Sequence, residues 1–139
     1  MKAISLYQPW AAFVAAGIKR YETRSWTNGY RGLLVIHAAG KYRDGFPPDV
    51  YRVIERLKFD YPQVQAAMYG ELAFGAGICV CDLKAIYRTE DVAPYISPLE
   101  RAVGDWTAGR AAWELEIVKV YDEPIVCKGK QGLWDWSQS

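Results

Sequence analysis

Histidine and cysteine are scarce in this chain of 139 residues, and their scarcity limits the available chemistry. His37 is the sole histidine, so a Ser-His-Asp triad could be built only around it. Cys79, Cys81 and Cys127 are an odd number of cysteines and match the disulfide framework of a secreted domain poorly. They also lack the Cys-x-x-Cys spacing of a zinc knuckle. We therefore expect reduced thiols, a cytoplasmic location, and neither a metal nor another cofactor.

Long apolar runs, phosphate-binding glycine loops and internal repeats are also missing from the sequence. The most apolar segment, residues 10–18, is nine residues long, whereas a membrane-spanning helix needs about 20. The glycine patterns of P-loop and dinucleotide-binding proteins do not occur. These absences predict no membrane segment and no targeting signal, and they exclude those two kinds of phosphate site.

The net charge is close to zero, but the charges are unevenly divided along the chain. Seventeen Lys and Arg residues oppose sixteen Asp and Glu residues, and the resulting +1 excludes a uniformly basic nucleic-acid clamp. Residues 1–58 hold ten basic and four acidic residues (+6), whereas residues 59–139 hold seven and twelve (−5). Such a division can place a basic face opposite an acidic one, so that a neutral domain still attracts a polyanion.

Composition and pattern predict a single α+β domain over residues 1–139. Hydrophobic residues make up 51% of the chain and charged residues 24%, which is enough apolar surface for a core without disulfides or metal. Five to seven strands with two or three inserted helices favour a small closed or nearly closed sheet. The patterns place the main strands at 2–6, 18–26, 32–38, 72–83 and 113–118, with two further short strands at 125–127 and 133–134. The apolar run at 33–36 indicates that the strand 32–38 is covered on both faces. Helices are predicted at 9–16, which is apolar nearly all round and therefore buried, at 50–58, and at 97–104, where Ser97 and Glu100 have the spacing of a capping box.

The segment 17–26 combines charged residues with a strand pattern. If it is extended beyond residue 19, Glu22, Arg24 and Trp26 share one face. Glu22 and Arg24 can then form an ion pair, and Lys19 can reach the same cleft. A lysine and a glutamate in a cleft of low dielectric constant can act on a carbonyl or phosphate as acid, base or electrostatic clamp. The alternative is a surface strand whose charges are solvated.

Several aromatic residues are candidates for stacking against a base. Trp26 is the best of them, because it shares a strand face with Glu22 and Arg24, and base stacking is worth about 1–3 kcal/mol at single-stranded sites. Trp10 and Tyr30 are candidates for the wall of the same cleft. Most aromatic residues of a domain this size belong to the core. For Trp10, a position in the core and a position in the cleft wall are equally good interpretations.

His37 and the basic residues outside the motif are further candidates for the cleft. His37 shares strand parity with Leu33 and Val35, which favours a hydrogen-bonded imidazole at the edge of the core, with a cleft position as the alternative. Basic side chains collected around one cleft would contact phosphates, and affinity would fall steeply with salt; otherwise they form a solvated surface. The residues concerned are Arg31, Lys41, Arg43, Arg52, Arg56 and Lys58, together with Lys128 and Lys130 on a turn around Gly129.

The order of several motifs resembles that of the ASCH domain family (activating-signal-cointegrator homology) of the PUA-like superfamily. The chain opens with Ser-Leu-Tyr-Gln-Pro-Trp-Ala at 5–11, followed by Gly-x-Lys-x-x-Glu-x-Arg at 17–24. Tyr-Arg-Gly at 30–32 and Ile-His-Ala at 36–38 come next, and Lys-Gly-Lys-Gln-Gly-Leu-Trp at 128–134 is similar to the end of the family's domain. The resemblance covers almost the whole chain, and the order of the motifs makes it specific.

This resemblance implies a PUA-like small mixed β-barrel with inserted helices and a cleft between strands. It also implies RNA binding in that cleft, so the expected partner is RNA, single-stranded, or a nucleotide-like small molecule. Lys19 and Arg24 would hold a phosphate or carbonyl oxygen, and Glu22 would accept hydrogen bonds from a base edge or orient Lys19. The predicted ligand-binding residues are Lys19, Glu22, Arg24, Trp26, Arg31, His37, Lys41 and Lys130, with Trp10 and Tyr30 as cleft wall.

A hydrolase is the alternative function that the resemblance implies, with Lys19 and Glu22 as its acid–base pair. Small relatives deacylate N-acetylated cytidine with a Lys, a Thr and a Glu, and others are reported as ribonucleases. Glu22 stands where the deacylase pattern has its threonine, and Thr23 comes one residue later, on the opposite strand face. Glu71 lies in the region of the pattern's second acid. A protein-interaction module with a structural charged cluster is a third alternative.

Overall fold

A six-stranded mixed sheet forms the centre of the computed structural model, which describes residues 1–137. Its strands run in the order β2-β5-β4-β3-β1-β6, with β1 parallel to β3 and every other neighbouring pair antiparallel. The sheet curls into a half-barrel, with β2 and β6 as its two edges. The strands are β1 (Lys2–Leu6), β2 (Tyr21–Arg24), β3 (Gly32–Ala38), β4 (Ala76–Arg88), β5 (Ala111–Val126) and β6 (Leu133–Asp135).

Helices fill the connections between the strands, and in the described residues there are more of them than the predicted two or three. Prolines explain part of the difference: Tyr61 is extended (φ −133°, ψ 107°) and separates two helices, because a residue before proline avoids the helical region. A 3-10 turn over 93–95 follows the fourth helix. The helices are α1 (Trp10–Ala15), α2 (Pro48–Asp60), α3 (Pro62–Ala67), α4 (Thr89–Val92) and α5 (Pro98–Ala102).

The main core lies between the inner face of the sheet and α1. Trp113 of β5 is fully buried there, together with aliphatic residues of β1, β3 and β4. The two thiols of Cys79 and Cys81 also belong to this core; their mutual hydrogen bond and their burial raise the pKa of Cys79. Gly17, with φ +76°, follows the helix and turns the chain toward β2. Helix α1 itself buries Ala11, Phe13 and Val14, which confirms the buried helix predicted before Gly17.

Three strand predictions were wrong in their limits. The strand predicted at 72–83 begins and ends later, at Ala76–Arg88. The segment 18–26 is a strand only at 21–24. It starts late because the amides of Ile18 and Lys19 still donate to the carbonyl of Phe13 in α1. The two strands expected around 113–118 and 125–127 are one strand of 16 residues, whose pairing with β4 is interrupted by three register shifts. In the described part of the chain, no helix has the length and apolar character that a membrane span requires.

Candidate functional site

A cavity of about 1020 Å³ opens beside the ends of β1 and β3, between the two edges of the sheet. Because β1 and β3 are parallel neighbours, their carboxyl ends lie together at the same end of the sheet. Edge strand β2 contributes 22–24, and the end of α5 with the residues that follow it contributes 102–105. The loop between β5 and β6 contributes 128–132, so both ends of the described chain build the cavity wall.

Three charged side chains of the 17–24 motif form a connected network in the cavity wall. Nζ of Lys19 lies 3.5 Å from Oε1 of Glu22, and Nε of Arg24 donates to Oε2 of the same carboxylate at 3.0 Å. Arg24 also donates through Nη2 to the carbonyl of Ser5 at 2.9 Å, which fixes the guanidinium against β1. The ion pair of Glu22 and Arg24 expected from their strand parity is thus present, and Lys19 joins it.

Lys19 is buried, with only 3% of its surface exposed, and backbone contacts determine its position. Its Nζ donates to the carbonyl of Val103 at 2.9 Å. Gly104 follows, and a Cβ on that glycine would lie 3.3 Å from the same Nζ, so a side chain there would crowd the ammonium group. Helix α5, which precedes these residues, begins as predicted: the hydroxyl of Ser97 accepts from the amide of Glu100 at 3.1 Å.

A second buried carboxylate connects α5 to the start of β2. Oε1 of Glu100 accepts from the amide of Arg20 at 2.8 Å, and Oε2 accepts from the amide of Tyr21 at 3.4 Å. Burial of this carboxyl raises its pKa above the ordinary value, although both amides and nearby Lys19 act in the opposite direction. Glu100 does not line the cavity; it holds the strand that carries Glu22 and Arg24 in place.

The only histidine lies in the cavity wall under the loop between β5 and β6. Nε2 of His37 donates to the carbonyl of Cys127 at 2.8 Å, since a carbonyl can only accept. In the neutral imidazole Nδ1 therefore accepts from the hydroxyl of Ser5, 3.0 Å away. Gly129 crosses directly above: an added Cβ would lie 2.6 Å from both Cε1 of His37 and Oγ of Ser5. His37 is thus both a hydrogen-bonded residue at the core edge and part of the cavity wall.

Positive charge predominates among the residues that line the cavity. Lys128 and Lys130 flank Gly129 and are exposed, so they lie at the rim. The carboxylates of the wall are Glu22 and Asp105, and they face five cationic side chains, those of Lys19, Arg24, Arg110, Lys128 and Lys130. Three of these cations come from the acidic half of the chain. The division of charge between the two halves therefore does not account for the basic character of the cavity.

Most of the predicted site residues meet at this cavity. Those that line it are Lys19, Glu22, Arg24, His37, Lys130 and, in the wall, Trp10. Thr23, which strand parity placed on the opposite face, is buried and also contributes to the wall. Glu71 is exposed and lies outside the lining. Residue 71 therefore does not supply a second acid to the cavity wall; besides Glu22, the acid in the described lining is Asp105.

Three predicted ligand-binding residues and one predicted wall residue, Tyr30, lie outside the lining of the cavity. Trp26 does not continue the face of Glu22 and Arg24, because β2 ends at Arg24; its ring packs edge-on against Trp113, with centroids 5.0 Å apart. Tyr30 donates its hydroxyl to the carbonyl of Leu33, and Nη1 of Arg31 donates to the carbonyls of Asn28 and Tyr30 at 3.0 and 2.7 Å. Lys41 is adjacent to the lining residue Gly40.

The basic residues of α2 and of the preceding loop also lie elsewhere. Arg56 pairs with Asp60 and Lys58 with Glu55 along the same helix. Arg43 places its guanidinium against Gly75, where a Cβ would lie 2.5 Å from Nη2. These side chains serve local contacts and the exposed surface. Within residues 1–137, no group of three His, Cys, Asp or Glu side chains is arranged to hold a metal ion.

Sequence reasoning missed several residues of the wall. Tyr7 lines the cavity and is 48% exposed, although it stands inside the opening motif next to Leu6. Arg110 reaches the wall from the start of β5 and donates to the carbonyl of Thr23 at 3.1 Å. A signal for Tyr7 was available, because it lies inside the opening motif, between the end of β1 and the Gln-Pro-Trp sequence. No local pattern indicated Arg110, whose position depends on the pairing of β2 with β5.

A curled mixed sheet with helices in its connections and a cavity beside its open edges defines an α+β domain of the PUA-like kind. The ASCH domain model matches residues 4–125, and the chain belongs to the ASCH domain family. A stretch of 38 residues is 53% identical to activating signal cointegrator 1 of Mus musculus and 50% identical to that of Homo sapiens. This stretch is 27% of the chain and 6% of either relative, so the chain spans only a small part of these curated proteins.

Two crystal structures from Zymomonas mobilis share the fold. The structure of the ASCH protein of this organism has a TM-score of 0.53 and 14% sequence identity to this chain. The structure of its Tyr-to-Phe mutant has a TM-score of 0.55 and 16% identity. Both comparisons cover 98% of this chain, with 87% and 90% of the respective neighbour. At such low identity they establish the architecture, which confirms the predicted fold class.

Proposed function

We propose that the domain binds RNA or a nucleotide-like ligand in the cavity beside β1, β2 and β3. The observation that carries this proposal is the fixed network of Lys19, Glu22 and Arg24 in a cavity of about 1020 Å³. Ligand pockets commonly measure about 300–1000 Å³, so a nucleotide fits this space. Membership of the ASCH family supports the proposal, because RNA binding is the role generally proposed for that family.

The two parts of the cavity suit the two parts of a nucleotide. Glu22 offers carboxylate oxygens that can accept from the amino or imino groups of a base, and Arg24 offers further donors beside it. At the rim, Lys128 and Lys130 are exposed cations that can neutralise phosphates. A base must leave its stack to enter such a cavity, so the proposed partner is single-stranded rather than double-stranded.

Binding of a short single-stranded RNA to wild type and to Glu22→Gln tests this proposal. The amide keeps the shape of the side chain but offers one acceptor oxygen and no charge, so we expect affinity to fall by about tenfold or more at constant salt. Glu116→Gln is the matched control, because Glu116 lies on β5 outside the cavity and pairs with Lys84 on the exposed surface. No binding by wild type at low salt, or equal affinities of both variants and wild type, would contradict the proposal.

A hydrolase acting on a modified nucleoside or on RNA is the second candidate. The distance of 3.5 Å between Nζ of Lys19 and Oε1 of Glu22, inside a cavity open to ligand, favours it, since an acid–base pair needs such proximity. Incubation with N-acetylated cytidine and with labelled RNA, comparing wild type with Lys19→Met, measures this activity. Product formation that persists in the variant would remove Lys19 from the mechanism, and absence of product in wild type would leave only the binding function.

A further inference from the structure

We propose that Tyr7 forms a stacking platform at the mouth of the cavity, on which a second base lies while its neighbour occupies the cavity. This inference rests on the proposed function, because it adds a subsite for the same class of ligand. It makes the preferred ligand a single-stranded oligonucleotide of at least two nucleotides rather than a mononucleotide.

Tyr7 combines a cavity position with an exposed aromatic ring. The residue follows β1 directly, lines the cavity, and keeps 48% of its surface exposed. The other aromatic residue of the described lining is Trp10, which is partly buried, with its ring edge-on to Phe13 at 5.6 Å. Tyr7 is therefore the aromatic ring of the described lining that offers the larger free surface to a ligand.

The surroundings of Tyr7 favour a nucleotide over a purely apolar group. Nζ of Lys41 lies 4.8 Å from the centroid of the Tyr7 ring and 5.4 Å from that of Tyr42. The two tyrosine rings are themselves in edge contact, with centroids 5.7 Å apart and an angle of 69° between the planes. Because Lys41 lies over one face of the Tyr7 ring, a base would stack on the other face, and the cation would lie near the phosphate of that base.

An unusual turn holds Lys41 and Tyr42 next to Tyr7. Tyr42 has φ +73°, a left-handed conformation that aromatic residues rarely adopt and that is found preferentially at ligand sites. The turn is closed by the amide of Arg43, which donates to the carbonyl of Gly40 at 3.2 Å. A further contact of Tyr42 with the ring of Phe46, at 5.7 Å, fixes the aromatic side chain.

This aromatic surface is continuous with the charged cavity. Ala39 and Gly40, the residues immediately before Lys41, line the cavity, as does Leu6 immediately before Tyr7. A strand whose base occupies the space beside Glu22 would therefore leave the cavity past Tyr7. Its next base would meet the tyrosine ring, and the phosphate between the two nucleotides would come close to Lys41.

Binding of an RNA of about ten nucleotides and of the four 5′-mononucleotides to wild type and to Tyr7→Ala tests the platform. Loss of one stacked base is expected to weaken oligonucleotide binding by about 5- to 150-fold, and to weaken mononucleotide binding by a clearly smaller factor. Tyr7→Phe should bind the oligonucleotide like wild type, because it keeps the ring. Tyr69→Ala is the control, since Tyr69 is 92% exposed and lies outside the cavity lining.

A series of oligonucleotides with one abasic position tests the same contact without changing the protein. At one particular position of the series, the missing base should weaken binding to wild type but have no effect on binding to Tyr7→Leu. This variant keeps apolar volume at residue 7 but lacks the ring. Equal sensitivity of both proteins at every position would overturn the platform while leaving the cavity as a binding site. Failure of wild type to bind either ligand at low salt would instead overturn the proposed function and the platform together.

Discussion

Lys19 and Glu22 form an ion pair with Nζ and Oε1 3.5 Å apart and with only 3% and 12% of the two side chains exposed. Glu22 is shared with Arg24, so one carboxylate offsets two cations. Removal of the carboxylate would leave the ammonium group buried, with neither a counter-charge nor water around it. The free energy lost in this way is larger than the net contribution of the intact pair to stability. The network is thus a structural element as well as the centre of the proposed binding site.

Removal of the negative charge should destabilise the fold. Glu22→Gln leaves Lys19 with the carbonyl of Val103 as its described hydrogen-bond acceptor, and we expect the free energy of unfolding to fall by about 3 kcal/mol. Urea unfolding measures this change. The double variant Lys19→Met with Glu22→Gln should lose less than the sum of the two single variants. Additive losses would show that the two residues do not interact energetically.

The pH dependence of stability should reveal the raised pKa of Glu100. The folded protein holds the Glu100 proton to a higher pH than the unfolded chain, because burial disfavours the carboxylate. Stability contributed by the protonated form is therefore present at low pH and is lost as pH rises through the window above the ordinary pKa. Urea unfolding of wild type and Glu100→Gln should show a difference that is most favourable to wild type at low pH. A difference that grows in favour of wild type with rising pH would refute this sign.

A side chain at Gly129 should displace the loop that closes the cavity. The added methyl of Gly129→Ala would lie 2.6 Å from Cε1 of His37, so either the loop or the imidazole must move. We expect a loss of about 1–3 kcal/mol in unfolding free energy and weaker RNA binding, because Lys128 and Lys130 move with the loop. Gly29→Ala is the matched control, since no atom lies within 4 Å of its added Cβ. Wild-type affinity of Gly129→Ala would argue against a role for the loop.

The salt dependence of RNA binding should decrease when a rim lysine is removed. Each lysine that neutralises a phosphate releases about one counterion, so Lys130→Ala should reduce the slope of log affinity against log salt by about 0.7 for single-stranded RNA. Lys119→Ala removes an exposed lysine of β5 outside the cavity lining and should leave the slope unchanged. An unchanged slope in Lys130→Ala would mean that this lysine does not contact a phosphate.

Local patterns predicted the features of the fold that depend on neighbouring residues. The apolar run of β3 indicated a buried strand, and the Ser97–Glu100 spacing indicated a helix start that the structure confirms. The alternation argument also brought Glu22 and Arg24 together. It failed at Trp26 because the strand ends two residues earlier, at Arg24, and side-chain parity holds only while the backbone remains extended.

Long-range pairing determined what the local patterns could not indicate. Lys130, a predicted site residue, and Lys128 reach the cavity because β6 pairs with β1, more than 125 residues away in sequence, and this pairing is not part of the local pattern on which the prediction was based. Arg110 does so because β5 pairs with β2. Neither contact leaves a periodic trace in the sequence, so the charge of the cavity could not be obtained by counting charges in two halves of the chain.

The short strand β6 would make the proposed ligand binding and the docking of residues 133–137 linked equilibria. Only three residues of β6 pair with β1, and the segment is further held by Trp134 and by Trp136, whose ring packs on Gly77. A molecule in which this segment detaches also loses the wall at 128–132. A ligand of the proposed kind would therefore shift the population toward the attached state, and hydrogen exchange in β6 should slow as the cavity fills.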